Sequence, residues 1–318
     1  MPRFNAGWRE GSYPDSETGH PTPVAYWYPT ATAERPVRRG PFELCVAPDA
    51  PVAEGSFPAV VISHGSGGSA IAHRDTARSL ARAGFVVSVP LHARNNFLDN
   101  SDEGTLHWFH ERPRQLSAAI DALLDAPGLA GRIDRGRIGA MGFSAGAFAV
   151  LTSAGGVADL RLIGGHCDAH PDDAFCIGGR ELGYSFPAQA DPNAFVVSPT
   201  PDHRIRAAVL LAPLGIVFAA GSLDRVTIPI RLYGAEKDES LTSPFHVERV
   251  QALLPRPPEC SLVPGAGHFA FISPFPASFT GRHTRDPDGF DRAQFQQRFN
   301  AEVSDFFTRV LAPDRPPP

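Results

Sequence analysis

Apolar runs and helix-like patterns alternate along most of this 318-residue chain. Short runs rich in β-branched and small apolar residues predict buried strands, and longer segments between them predict helices. The predicted strands begin near Ala59, Phe85, Arg137, Arg206, Ile228 and Glu259. The predicted helices begin near Ala72, Glu111, Ala145, Pro244 and Asp291. This alternation predicts an α/β fold with a mostly parallel central sheet and helices on both faces.

Three stretches depart from the alternation. Residues 1–30 predict a lead-in with an early strand pair, and the Pro-rich residues 30–58 predict a connection to the core. Residues 154–203 are rich in Gly, Pro and Asp, and they directly follow the helix predicted from Ala145. Because a structureless loop of that length is unusual in a compact domain, we predict a cap or lid insertion at 154–203. We expect residues 1–318 to form a single domain around it.

A five-residue motif, Gly-Phe-Ser-Ala-Gly at 142–146, lies between a predicted strand and a predicted helix. A strand–turn–helix of this kind holds its serine in a sharp turn with the hydroxyl exposed above the sheet. The flanking glycines allow strand and helix to pass closely. We therefore predict that Ser144 is a nucleophile. Packing of small residues at a helix start is the alternative explanation of the same pentapeptide.

A serine hydroxyl needs a histidine to take its proton and a carboxylate to orient that histidine. In a strand–turn–helix site of this type, the chain order is serine, acid, histidine. Asp238 lies in a polar turn after a predicted strand and is the candidate acid, with Glu236 and Glu239 of the same turn as rivals. His268 lies in a Gly-rich loop after the next predicted strand and is the candidate base.

The loop Ser63-His64-Gly65-Ser66-Gly67-Gly68 follows another buried strand. Its Ser66 N–H and the N–H of Ala145 are candidates for the two donors of an oxyanion hole. Residues 65–70 also fit the G-x-G-x-x-A pattern of a dinucleotide-binding loop. That pattern needs an acidic residue at the end of the next strand, where the chain has Pro90-Leu91-His92. The loop therefore favours an oxyanion hole over nucleotide binding.

Aromatic residues flank the candidate site on both sides in the sequence. Trp108 and Phe109 lie upstream of the serine, and Phe269 and Phe271 follow the histidine. The downstream run is irregular and interrupted by proline, which is unlike a packed helix face. We interpret these four residues as walls of a hydrophobic pocket for an acyl or alcohol group. Because the chain contains 22 phenylalanines, core packing is the alternative explanation for some of them.

Net charge and hydrophobic content indicate which classes of partner the protein is expected to bind. A net charge of −5 argues against nucleic acid or an anionic membrane as partner. No apolar run approaches the roughly 20 residues of a membrane span, and residues 1–8 contain no apolar signal core. We therefore expect a cytoplasmic protein that acts on a small molecule, or an exported one if a signal was removed. The sequence leaves the oligomeric state open.

The four cysteines fall into two groups. Cys45 and Cys260 lie in apolar, strand-like surroundings and are predicted to be buried thiols. Cys167 and Cys176 bracket a loop-rich segment, for which a disulfide remains an open alternative. Potential metal ligands crowd around this segment, namely His166, Cys167, Asp168, His170 and Asp173. Their spacing matches no zinc signature, so we expect no metal and no cofactor.

Together these motifs resemble those of the α/β-hydrolases, and more narrowly of the dienelactone-hydrolase-like branch that includes platelet-activating-factor acetylhydrolase-like esterases. The resembling segments are residues 27–30, 63–68, 80–87, 112–113, 142–146 and 267–269. The resemblance implies a serine hydrolase that cleaves a carboxylic ester through an acyl-enzyme, with Ser144, Asp238 and His268 as its triad. Dienelactone hydrolases carry cysteine at the position of Ser144, and the serine here favours ordinary carboxylic esters.

Two alternatives to an esterase remain. The same triad could serve an amidase or an acyltransferase, because the difference lies in leaving-group protonation and water access. The fold could also serve a non-catalytic ligand-binding protein. This second alternative is disfavoured because binding alone does not require a nucleophile, a base and an acid in the required order.

Overall fold

One ten-stranded sheet forms the centre of the molecule. The computed structural model describes residues 4–15, 17–182, 184 and 191–312. The strands of the central sheet are β1 (Asn5–Pro14), β2 (Pro21–Thr30), β3 (Arg35–Arg39), β4 (Phe42–Pro48), β5 (Phe57–Ser63), β6 (Val86–Pro90), β7 (Ile133–Phe143), β10 (Ile205–Leu211), β11 (Ile230–Ala235) and β12 (Glu259–Val263). A separate two-stranded sheet contains β8 (Ala158–Asp159) and β9 (Val196–Val197).

The central sheet has the order β12-β11-β10-β7-β5-β6-β2-β1-β4-β3. The strands from β12 to β6 in this order all pair in parallel. The sheet is extended by β2, which pairs antiparallel with both β6 and β1, and by β1, which pairs in parallel with β4. The predicted α/β fold with a mostly parallel sheet is therefore confirmed. Because parallel strands end at one edge of the sheet, the loops that follow them meet there.

Helices cover both faces of this sheet. They are α1 (Arg74–Ala83), α2 (Leu106–Asp125), α3 (Ala145–Ser153), α4 (Arg161–Ala169), α5 (Ala174–Glu181), α6 (Val247–Leu253) and α7 (Arg292–Val310). Strand β5 shows why two cores form. Its Ala59 and Val61 belong to one buried cluster, and its Val60 and Ile62 belong to the other. This is the expected alternation of side chains across a strand. None of the described helices is long and apolar enough to cross a membrane.

Two sequence predictions near the edges of the fold were wrong. The connection predicted at residues 30–58 contains the β3–β4 hairpin, which adds two strands to the sheet. Helix α2 begins at Leu106, earlier than the predicted start near Glu111. The side chain of Thr105 caps it, since its Oγ1 accepts a hydrogen bond of 3.1 Å from Trp108 N.

The segment 154–203 contains α4, α5, β8 and β9 and a short 3₁₀ helix at Pro192–Phe195. Its residues 183 and 185–190 lie outside the described part of the chain. A disulfide joins Cys167 on α4 to Cys176 on α5, with the two Cα atoms 5.5 Å apart. The pairing that the sequence left open is thus present. The described part of this segment thus contains regular structure, and its role as a cap stays a prediction.

The two remaining cysteines are not buried, contrary to the prediction. Cys45 is exposed and Cys260 is half-buried. On β4, Leu44 and Val46 face the core, so the strand alternation turns Cys45 toward solvent. An apolar sequence context therefore did not indicate which face of the strand each thiol occupies.

Candidate active site

Ser144 occupies the turn between β7 and α3 with φ of 54° and ψ of −116°. A positive φ is uncommon for a residue with a side chain, and the surrounding structure must enforce it. A Cβ on Gly146 would lie 2.0 Å from the carbonyl oxygen of Ser63, and one on Gly142 would lie 2.3 Å from the carbonyl oxygen of Gly146. Both positions therefore require glycine. The backbone has the strained turn that the sequence motif predicts.

Asp238 and His268 form a hydrogen-bonded pair in the loops after β11 and β12. The Nδ1 atom of His268 donates to Asp238 Oδ2 at 2.8 Å. Asp238 Oδ1 accepts from the backbone N–H groups of Ser240 at 2.9 Å and Leu241 at 2.7 Å. Since an ionised carboxylate only accepts, the ring proton lies on Nδ1 and Nε2 is left as an acceptor. This is the tautomer that a general base for serine needs.

The electrostatics of Asp238 favour its charged form. Burial by itself raises the pKa of this carboxyl, but His268 and the N–H groups of Leu241 and Ser240 outweigh burial. The net effect is a pKa below the ordinary value of 3.8. Asp238 is therefore ionised at neutral pH and can stabilise a positive charge on His268.

The two rival carboxylates have different partners. Glu236 Oε2 accepts a hydrogen bond of 2.7 Å from Gly265 N, and Glu239 Oε2 accepts one of 3.0 Å from His268 N. Both side chains thus bind the backbone of the histidine loop. These contacts favour Asp238 as the acid and give Glu236 and Glu239 the role of holding the loop.

A cavity of about 130 Å³ opens between the strand ends and α5. It brings together six of the nine predicted site residues: Ser66, Trp108, Ser144, Ala145, His268 and Phe269. Asp238 lies behind His268, through the hydrogen bond described above. The cavity also has a wall that the sequence did not indicate, made by Phe143, Ala174, Phe175, Gly178, Gly179, Leu182, Leu214, Ser240 and Leu241.

Phe109 and Phe271 do not belong to the described cavity lining, and their interpretation as pocket walls is corrected. Phe109 is 1% exposed and its ring centroid lies 5.3 Å from that of Phe148 in the core under α3. Phe271 is fully buried on the opposite face of the sheet, 5.9 Å from the ring of Phe299 of α7. Phe109 follows the lining residue Trp108 by one position, and Phe271 follows the lining residue Phe269 by two. In a helix, this spacing directs the second side chain away from the cavity and into the core.

A hydrogen-bond chain supports the predicted oxyanion loop from the cavity side. Ser66 Oγ donates to Glu103 Oε1 at 2.6 Å and accepts from Asn95 Nδ2 at 2.8 Å. Trp108 Nε1 in turn donates to Asn95 Oδ1 at 2.6 Å, and the hydroxyl of Tyr184 donates to Glu103 Oε1 at 3.2 Å. Sequence analysis missed Asn95 and Glu103, because nothing in their polar neighbourhood distinguishes them from solvated loop residues. These contacts fix the side chain of Ser66, whose backbone N–H is the predicted donor to the oxyanion.

Comparison with known proteins shows what the sequence and the fold are similar to. The dienelactone hydrolase family model matches residues 44–166, which include the predicted oxyanion loop and Ser144 but neither Asp238 nor His268. No curated protein is significantly similar to the sequence. A ferulic acid esterase from Streptomyces cinnamoneus has a similar structure, with a TM-score of 0.66 at 19% identity over 99% of this chain and 94% of that one. Residues 44–166 are thus similar to the dienelactone hydrolase family, and the chain as a whole has an α/β-hydrolase fold.

A buried pair of histidines, His64 and His92, holds the predicted oxyanion loop on the side away from the cavity. His64 Nδ1 donates to Gly65 O at 2.7 Å, and His64 Nε2 accepts from His92 N at 3.1 Å. The ring of His92 accepts from Ser63 Oγ at 2.8 Å through Nε2 and bonds Gln115 Oε1 at 3.0 Å through Nδ1. Burial, reinforced by Arg112, lowers the pKa of both histidines well below 6.5. Both rings are therefore neutral, with the tautomers that these bonds require.

Proposed function

We propose that this α/β-hydrolase is a serine esterase that cleaves a carboxylic ester through an acyl-enzyme intermediate. One observation carries the proposal: Ser144, on its strained turn, and His268, held by the buried Asp238, line the same cavity. Isolated serines and histidines are common, but a serine at positive φ in the same cavity as an oriented imidazole is an arrangement suited to nucleophilic catalysis.

In the first half-reaction, Ser144 Oγ attacks the ester carbonyl carbon while His268 Nε2 takes the hydroxyl proton. The carbonyl oxygen becomes an oxyanion, which accepts hydrogen bonds from the N–H groups of Ser66 and Ala145. Collapse of this intermediate breaks the bond to the alcohol oxygen. His268 gives its proton to the departing alcohol, and the acyl group remains on Ser144 as an ester.

In the second half-reaction, a water molecule replaces the alcohol. His268 removes one proton from the water, and the resulting hydroxide oxygen attacks the acyl carbon. The second oxyanion uses the same N–H donors. Its collapse releases the carboxylic acid, and His268 returns the proton to Ser144 Oγ. Asp238 stays ionised throughout and stabilises each imidazolium.

The cavity favours a small or flat acyl group. Its volume of about 130 Å³ is close to that of protein cavities that bind a single benzene ring. The aromatic side chains of Trp108, Phe143, Phe175 and Phe269 line it, and such surfaces suit an apolar or aromatic group. We therefore propose short aliphatic acyl esters or esters of an aromatic acid. Ferulic acid, which the structural neighbour's name specifies, is one such aromatic acid.

A fluorophosphonate probe tests the nucleophile, and an ester panel tests the reaction. We expect the probe to label wild type at Ser144 and to leave Ser144→Ala unlabelled. We also expect Ser144→Ala to lower ester turnover by several orders of magnitude, with little change in melting temperature, because the half-buried side chain faces the cavity. If this variant keeps a tenth of wild-type turnover, Ser144 is not the nucleophile.

The panel contains p-nitrophenyl esters from acetate to decanoate, methyl ferulate, one aryl amide and one competing alcohol acceptor. Hydrolysis of the short or aromatic esters with little amide cleavage would support the esterase. Faster amide cleavage, or transfer to the alcohol in preference to water, would identify the same site as an amidase or acyltransferase. If the probe labels no residue and no substrate is turned over, the protein is a non-catalytic ligand-binding protein.

A further inference from the structure

Three side chains that can bind a metal ion meet where α4 ends and α5 begins. Donor atoms of His166, Asp173 and Cys176 all lie within 4.8 Å of one another. The Sγ of Cys167 is bonded to that of Cys176 and therefore lies next to this group. One nitrogen, one carboxylate oxygen and two sulfurs are thus gathered in a single place. These are the donor types that zinc binds in tetrahedral sites.

His166 and Asp173 are buried without satisfying each other. Their side chains are only 10% and 2% exposed, and His166 Nε2 lies 3.6 Å from Asp173 Oδ2, which is beyond hydrogen-bond distance. Within the described ranges, His166 Nε2 has no hydrogen-bond partner. Buried polar atoms are nearly always paired. This nitrogen therefore points to a ligand that belongs between it and the carboxylate.

Neighbouring residues already hold the side chains of Asp173 and His166 in place. Thr242 Oγ1 donates to Asp173 Oδ1 at 2.6 Å, and Phe175 N donates to Asp173 Oδ2 at 3.0 Å. The ring of Phe245 packs edge-on against His166 with a centroid distance of 4.7 Å. Hydrogen-bond partners such as those of Asp173 are typical of carboxylates that bind metal ions, because they fix the direction of the ligand.

We propose that reduction of the Cys167–Cys176 disulfide creates a zinc site from Cys167, Cys176, His166 and Asp173. A dithiol reductant supplies two electrons and two protons to the disulfide and is itself oxidised to a disulfide, leaving two thiols on the protein. Zinc binding then displaces the two thiol protons to solvent, because the thiolate is the ligand. The oxidised protein lacks both thiolates and does not bind the ion in this way.

The site would brace the cavity wall in a reducing environment. Helix α5 supplies Phe175, Gly178 and Gly179 to the cavity, and the disulfide ties this helix to α4. Asp173 also holds Thr242, which lies in the same loop as Asp238. When the covalent link is broken, an ion bound by residues of both helices maintains their contact. The inference does not depend on the proposed reaction.

Cobalt and zinc binding to the full chain provide the test. The protein is reduced with a dithiol, freed of reductant by anaerobic gel filtration, and titrated with CoCl₂. We expect one cobalt per chain, with thiolate-to-cobalt charge-transfer bands and the intense visible bands of a tetrahedral ion. ZnCl₂ should bleach these bands, because zinc binds such sites more tightly than cobalt. Zinc should also raise the melting temperature of the reduced protein and leave that of the oxidised protein unchanged.

Variants assign the ligands. Cys167→Ser and Cys176→Ser should remove the charge-transfer bands or weaken cobalt binding at least a hundredfold. His166→Ala and Asp173→Asn should each weaken it at least tenfold. Cys45→Ser and Cys260→Ser, which remove the two free thiols, are matched controls and should bind as wild type does. Should His166→Ala not melt cooperatively, His166→Gln replaces it.

Three results would overturn the proposal. One is the absence of tetrahedral cobalt bands in the reduced wild type. Another is equal cobalt binding by reduced and oxidised protein. The third is loss of the bands in Cys45→Ser or Cys260→Ser while Cys167→Ser retains them, because the metal would then be bound by the other thiols.

Discussion

Replacement of Asp238 by asparagine separates the orienting role of the carboxylate from its role in the loop. The asparagine side chain would keep one carbonyl-type oxygen, which can still accept from Ser240 N and Leu241 N at the position of Oδ1. The second oxygen, which accepts from His268 Nδ1 at 2.8 Å, becomes an NH₂ group. Two donors would then face each other, so His268 is expected to carry its proton on Nε2 instead.

The magnitude follows from this change of tautomer. With its proton on Nε2, His268 cannot take the proton of Ser144, and the variant also loses the negative charge that stabilises the imidazolium. Loss of the orienting carboxylate in other serine triads costs about 10⁴ in turnover. We expect a decrease in kcat of about 10³–10⁴, which corresponds to about 4–5.5 kcal/mol of transition-state stabilisation.

Steady-state hydrolysis of p-nitrophenyl acetate provides the assay, with Glu236→Gln and Glu239→Gln as matched controls. Each glutamate accepts one backbone N–H, from Gly265 and His268 respectively, and a glutamine oxygen can accept the same bond. One altered hydrogen bond is worth about 1 kcal/mol, so each control should lose at most about tenfold. If Glu239→Gln or Glu236→Gln is as impaired as Asp238→Asn, then the acid has been misassigned. Near-normal turnover by Asp238→Asn would refute the tautomer argument itself.

Three further outcomes are expected. Phe109→Ala should lower the free energy of unfolding by about 3–5 kcal/mol in a denaturant titration, because Phe109 is buried in the core. Phe269→Ala should mainly change KM, because Phe269 lines the cavity. A large loss of stability in Phe269→Ala together with a changed KM in Phe109→Ala would contradict these positions. Cys167→Ser, or reduction without zinc, should cost up to about 3 kcal/mol in thermal unfolding and change acyl-chain preference, because the link to Cys176 closes a loop with a sequence separation of 9. Because the pKa of Asp238 is lowered in the fold, its stabilising effect should be present above about pH 4 and vanish as pH falls through the folded pKa; a stability difference from Asp238→Asn that persists at lower pH would exclude this.

The sequence by itself determined the fold class and the local geometry of the nucleophile. Strand and helix starts follow from hydrophobic periodicity, because that pattern reflects burial of one or both faces of each element. The glycine at 142 is a local steric requirement of the turn, since a Cβ there would lie 2.3 Å from the carbonyl oxygen of Gly146. Chain order then narrowed the candidate acid to one turn, in which Asp238 was preferred over its rivals Glu236 and Glu239.

Only the tertiary structure decided which residues face the cavity. Trp108 and Phe109 are adjacent in sequence, yet one lines the cavity and the other is buried against Phe148. Likewise, Asp238 rather than Glu239 contacts the imidazole of His268, while Glu239 contacts its backbone. The direction of a side chain depends on how its element packs against partners distant in sequence. That packing also brings Asn95 and Glu103 to Ser66 and forms the cavity wall on α5, none of which a linear pattern specifies.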